Sequence, residues 1–247
     1  MFVHSWGMLP IYSHRMIPLY DHNPRHRAPV LTIALIIANV VVYFGWQMSV
    51  GLEQSVAIGG FVPAAFTARI PGATTDILTA MFMHGGLMHL LGNMWFLWIF
   101  GDNVENATGP IRFLVFYLLT GILATLAYTW WQPASDMPLV GASGAISGVL
   151  GGYLVKHPSV PIRTLIPLGI FTRIVDLPAF VFLFIWIGMQ VLSQAARDES
   201  RGGGGVAYLA HIAGFIAGVL LIFILENPKL EDAQRQAGRR SVQSGWE

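Results

Sequence analysis

Six apolar runs, most of them near the ~20 residues that a bilayer core requires, leave this chain little choice of surroundings. They cover approximately Val30–Val50, Ile77–Phe100, Ile111–Trp131, Ser143–Val155, Leu177–Leu192 and Val206–Leu225. Charged residues are only 11% of the sequence against ~25% in a soluble domain, and 54% of the residues are hydrophobic. In hydrocarbon every backbone polar group must be satisfied within the chain, so the expected fold is an all-α integral membrane protein, a six-helix bundle. Pro29 opens the first run, and Pro178 is expected in the first turn of the fifth helix. The fourth run is short, so its helix is expected to start below the membrane surface, with the Gln132–Val140 loop dipping in to meet it. The stretch Gly51–Thr75 is broken by Gly59-Gly60, Pro63 and Pro71-Gly72 and reads as short interfacial helices. Three regions follow: a polar N-terminal segment, residues 1–29, that does not read as a cleavable signal peptide; the six-span domain, 30–226; and a polar tail, 227–247.

The basic residues orient these spans. With the N-terminus cytoplasmic, Arg15, Arg25, Arg27, Arg112, Lys156, Arg163, Arg173, Lys229, Arg235, Arg239 and Arg240 lie inside. Arg69, Arg197 and Arg201 lie outside, which is eleven against three of the fourteen Lys and Arg. Both termini are thus expected in the cytoplasm, and spans two, four and six run from outside to inside. The chain has no cysteine, which removes disulfide frameworks and thiolate metal sites. No basic cluster with interleaved aromatics points to nucleic acid, and no phosphate-binding loop points to ATP.

Within the fourth span, Gly144, Gly148 and Gly152 recur every four residues and form a stripe that lets another helix approach closely. The sixth span carries a matching stripe, Ala210, Gly214 and Gly218, and these two stripes are expected to pack together. Ser143 stands at the start of the fourth helix, beside free N–H groups and the positive end of the dipole, where an oxyanion is stabilised. Polar groups inside spans are costly, and each is a functional hypothesis by default. The second span holds His84, His89 and Asn93, with His89 and Asn93 four apart on one face and His84 on another. The sixth holds His211, five residues past Val206 and at a depth similar to that of Ser143. A serine bonded to a neutral histidine that titrates near neutrality is an activated nucleophile with its base. His89 and Asn93 are placed to join the Ser143 N–H in an oxyanion hole.

These motifs resemble those of rhomboid intramembrane serine proteases over nearly all of residues 30–226. The segments are Gly141-Ala-Ser-Gly144, Ala210-His211-x-x-Gly214-x-x-x-Gly218, His84-Gly-Gly-Leu-Met-His89-Leu-Leu-Gly-Asn93 and Gly101-Asp-Asn-Val-Glu105-Asn-Ala-Thr-Gly109. The resemblance implies a catalytic dyad of Ser143 and His211, with His89, Asn93 and Ser143 itself in the oxyanion hole. It also implies cleavage of membrane-spanning substrates near the outer face after a small residue, without cofactor or metal. His84, with Gly141 and Gly144, then supports the site and its water, while Glu105 is structural. The six spans without a large extramembrane domain resemble the compact bacterial type, and the absence of a targeting peptide favours a bacterial inner membrane. Two departures stand out: no Trp-Arg pair occurs in the first loop, where Arg69 follows Ala68, and Ser147 replaces an aromatic ring that some members set against the histidine.

Other readings of the same residues are a packing or interfacial His84, an Asn93 that is helix–helix glue, and aromatics Trp95, Trp98, Trp130, Trp131 and Trp186 that mostly face lipid or lie in the interfacial belt. A His84, His89 and His211 metal site is disfavoured because His84 and His89 lie on different faces with no carboxylate nearby. Asp76, Asp102, Asp136 and Asp176 fall at span ends or loops and form no aspartyl dyad. The Arg201–Gly205 run reads as a movable cap. A transporter would show inverted repeats or a polar stripe through several spans, and a non-catalytic relative would have lost Ser143 or His211.

Overall fold

The computed structural model describes residues 16–23, 27–168, 171–196 and 207–230. The chain opens with strand β1 (Ile17–Asp21). One continuous helix follows, made of α1 (Val30–Val41), a π-helical segment (Val42–Gln47) and α2 (Met48–Val50). The first loop holds α3 (Leu52–Gly59), α4 (Pro63–Thr67) and α5 (Asp76–Ala80). Helices α6 (Leu87–Thr108) and α7 (Pro110–Trp131) are joined through Gly109 alone. Its φ of 84° ends one helix, and Pro110 starts the next without needing a backbone donor. Then come α8 (Ser143–Lys156), strands β2 (Pro161–Leu168) and β3 (Phe171–Pro178), α9 (Ala179–Ala195) and α10 (Tyr208–Leu225). Among the described residues, Val30–Val50, α7 and α10 are long and apolar enough to cross a membrane, and α9 is a shorter apolar helix.

The chain is mostly helical, and three sequence expectations are corrected. It is not all-α: β1, β2 and β3 form an antiparallel sheet in that order. Four prolines between 158 and 178 break helical hydrogen bonding there, while Ile162, Thr164 and Ile166 favour a pleated surface. Arg163 and Asp176 lie opposite each other across β2 and β3 and bond through Nε and Nη2 at 2.8 and 2.9 Å. Secondly, Pro178 ends β3, and α9 starts one residue later. Thirdly, the run Ile77–Phe100 is not one helix: the chain leaves α5 at Ala80 and re-enters a helix only at Leu87. Gly85 and Gly86 lie in this break. Gln47 clamps it, with Oε1 accepting from the His84 N–H at 2.8 Å and Nε2 donating to the His84 carbonyl at 3.0 Å.

Buried Glu105 of α6 holds the start of α1. Its Oε1 accepts from the Leu31 N–H at 2.9 Å, and its Oε2 accepts from the Thr32 N–H and hydroxyl, both at 2.8 Å. A carboxylate there satisfies orphan donors and meets the positive end of the helix. The glycine stripes of α8 and α10 do pack together, as expected, and the α8 stripe also receives α7. A Cβ on Gly144, Gly148 or Gly152 would meet Ala124, Thr120 or Phe116 of α7, at 2.9, 2.4 and 3.0 Å. The α8–α10 contact sets Gly214 and Gly218 on Gly144 and Gly148, where a Cβ would come within 2.2 and 1.9 Å of the Gly144 and Gly148 carbonyl oxygens. Gly151 completes it, approaching the Phe215 carbonyl. α8 and α10 therefore meet at backbone distance, and α7 packs on α8 through its side chains.

Candidate active site

Ser143 is the first residue of α8, and His211 lies in the opening turn of α10. Because Gly214 and Gly218 press α10 onto the α8 backbone, the two side chains meet: Ser143 Oγ is 2.9 Å from His211 Nε2. Both are half-buried. The first N–H groups of a helix have no intrahelical acceptor, so the Ser143 hydroxyl stands beside unpaired donors and the positive helix end.

The loop before Ser143 is shaped by Gly141, whose φ is 122°. Its N–H donates to the Ala80 carbonyl at 2.9 Å, which fixes the loop against the break in the second run. A Cβ at 141 would lie 2.7 Å from His89 Cε1 and Nε2 and 3.4 Å from Asn93 Nδ2. His89 and Asn93, four apart on α6, thus converge on the backbone just ahead of Ser143. Asn93 is buried and its Nδ2 has no protein partner among the described residues. Further out, Phe61 of the first loop pairs by backbone with Leu139, at 3.0 and 2.7 Å. This pairing supplies partners for non-helical backbone.

His84 is fully buried, and neither ring nitrogen has a protein partner among the described residues. The expectation that it lies apart from His89 on another face does not hold. The break before Leu87 lets the chain turn, and the two rings pack edge-on with centroids 5.1 Å apart. Among the described residues, no three His, Cys, Asp or Glu side chains gather as metal ligands. The cap expected at 201–205 lies outside the described residues.

Three residues that touch His211 were not read as part of the site in the sequence. Trp186, expected to face lipid or the interfacial belt, stacks on His211 with centroids 6.3 Å apart at 28°. Gln190, four residues later on the same helix face, has Oε1 2.9 Å from His211 Nδ1. Tyr208 meets the same ring edge-on at 6.5 Å. Ser147 does not reach His211; its hydroxyl donates to the Ser143 carbonyl at 2.7 Å. The signal for Gln190 was present, since it is a polar residue in an otherwise apolar run. Gln47, which positions His84, carried the same signal.

Apolar helices packed through glycine around a serine–histidine pair define an integral membrane protein with a hydrolase-like site. A profile of the Rhomboid domain matches residues 71–228, more than half of the chain. The chain belongs to the rhomboid family. It is 28% identical to rhomboid protease GluP of Bacillus subtilis over 201 residues, 81% of this chain and 36% of that protein. It is 30% identical to the chloroplastic rhomboid-like protein 11 of Arabidopsis thaliana, over 61% of this chain and 52% of the relative. Mitochondrial rhomboid protein 1 of Saccharomyces cerevisiae is also 30% identical, over 90% of this chain and 63% of its own length. The chain therefore spans about a third to two thirds of these curated relatives.

Proposed function

We propose that this chain is an intramembrane serine endopeptidase that hydrolyses peptide bonds in or near the membrane-spanning segments of protein substrates. The observation that carries the reading is the 2.9 Å approach of Ser143 Oγ to His211 Nε2 at a helix N-terminus inside an apolar bundle. Membership of the rhomboid family, and a relative named as a rhomboid protease, support it.

Ser143 attacks the scissile carbonyl and passes its proton to His211 Nε2. The negative oxygen is stabilised by the Ser143 N–H together with His89 and Asn93. Collapse breaks the C–N bond, the amine leaves with the proton from His211, and Ser143 keeps the acyl group. Water then repeats the sequence, with His211 again as base, and releases the acid. His84 lies beside His89 and suits support of that water. The reaction balances with water as co-reactant and calls for no metal or cofactor.

The six-span arrangement assigns crossings to Val30–Val50, α6, α7, α8, α9 and α10, with both termini cytoplasmic. Substrate enters from the bilayer, and the site opens toward the outer face. The compact bacterial type and a bacterial inner membrane are part of this proposal.

The test is cleavage of a tagged single-span substrate in liposomes by the wild type, Ser143→Ala and His211→Ala. Cutting near the outer edge, lost by at least ~10³-fold in both variants, is expected from removal of a nucleophile or its base. Cutting that survives Ser143→Ala overturns the nucleophile. A wild type that binds several substrates and cuts none overturns the protease reading.

A further inference from the structure

The function proposed above uses Ser143 Oγ and His211 Nε2 but leaves the other histidine nitrogen unassigned. That nitrogen is occupied: His211 Nδ1 lies 2.9 Å from Gln190 Oε1. The amide turns Oε1 to the ring and Nε2 toward the Trp186 carbonyl, at 3.5 Å. An amide oxygen only accepts, so Nδ1 must carry the hydrogen. A neutral imidazole protonated at Nδ1 has its lone pair at Nε2, the atom 2.9 Å from Ser143 Oγ. Trp186, one turn earlier on α9, stacks on the same ring and limits its tilt.

From this geometry we infer that Gln190 is the positioning residue of the site, a neutral third partner that orients the serine–histidine pair. The inference rests on the serine protease reading. Gln190 touches no substrate; it selects the histidine tautomer and prevents the ring from flipping. A neutral amide suits this place, because a carboxylate buried among apolar helices is costly to ionise. As the imidazole takes the serine proton, the same oxygen stabilises the imidazolium through the shortened Nδ1–H bond.

The experiment uses the full chain in detergent with Gln190→Leu, which keeps the bulk and removes the acceptor, and Gln190→Glu, which keeps an acceptor. Two readouts are taken: kcat and KM on a single-span substrate, and the rate at which a fluorophosphonate labels Ser143. Gln190→Leu is expected to lower kcat and labelling by about 10–100-fold with KM within about twofold, the scale of a mispositioned base. Gln190→Glu is expected to restore both rates to within about fivefold of the wild type, since a carboxyl kept neutral by its apolar surroundings still offers a carbonyl oxygen to Nδ1–H. A merely structural role predicts that both variants fall together with raised KM and lowered Tm, and that result overturns the inference. Wild-type rates in Gln190→Leu also overturn it and leave the protease reading intact. A wild type that neither cuts nor labels, while folded, removes the reading on which the inference rests.

Discussion

At the scale of single residues, Gly141 joins the backbone to the chemistry. With φ at 122° and His89 2.7 Å from where a Cβ would stand, any side chain there is strained and displaces the imidazole. Gly141→Ala is expected to fold with a loss of about 1–2 kcal/mol from the forced dihedral, yet to lose oxyanion stabilisation, about 10–100-fold in kcat. Thermal unfolding and substrate cleavage measured together check this, and wild-type kcat in a folded Gly141→Ala counts against the proposed hole. Ser143, His211, His89 and Asn93 stood out in the sequence because each is a polar group in, or at the mouth of, an apolar run. Gln190 and Gln47 had the same property but lacked a motif around them. Their meaning depends on which helix faces which, and local spacing does not carry that.

Among the elements, the N-terminus of α1 depends on a carboxylate from α6. Glu105→Ala leaves the Leu31 and Thr32 donors without their acceptor, and at ~1–3 kcal/mol per buried unsatisfied group the expected loss is about 2–4 kcal/mol. Glu105→Gln, which keeps one amide oxygen, is expected to lose less. Thermal unfolding in detergent distinguishes them, and equal, negligible shifts would remove the capping account. The sheet gives a second, pH-dependent prediction. The Arg163 hydrogen bond holds the exposed Asp176 carboxyl below its ordinary value, His22 acting in the same direction at 3.2 Å. A depressed carboxyl stabilises the fold above its unfolded pKa, ~3.9, and that gain disappears as pH falls through the folded value. The Tm gap between wild type and Asp176→Asn is therefore expected to be small at pH 7, because exposed pairs contribute little, and to close on acidification. A gap that widens toward low pH contradicts the assignment. The helices were legible as apolar runs, whereas the sheet was not. Its strand β1 lies some 140 residues before its partner β2, and pairing over that distance leaves no local periodicity.

For the whole molecule, the charge bias and the packing make separate statements. The proposed orientation sets Thr74 and Ser159, both exposed, on opposite sides of the bilayer. Because the chain has no cysteine, Thr74→Cys and Ser159→Cys each introduce a unique thiol. A membrane-impermeant maleimide applied to intact cells is expected to label the first and spare the second, and the reverse pattern inverts the topology.

The glycine contacts divide into two kinds by what stands opposite them, which gives them unequal genetics. Gly144 and Gly148 face the Ala124 and Thr120 side chains, so a methyl group added at either can be offset by trimming its neighbour to glycine. Gly121 faces the flexible end of Met81, which can move aside. Gly214 and Gly218 face carbonyl oxygens of another helix, and no substitution removes a backbone atom. A screen for second-site suppressors should therefore return Ala124→Gly for Gly144→Ala and Thr120→Gly for Gly148→Ala. For Gly218→Ala it should return only reversion.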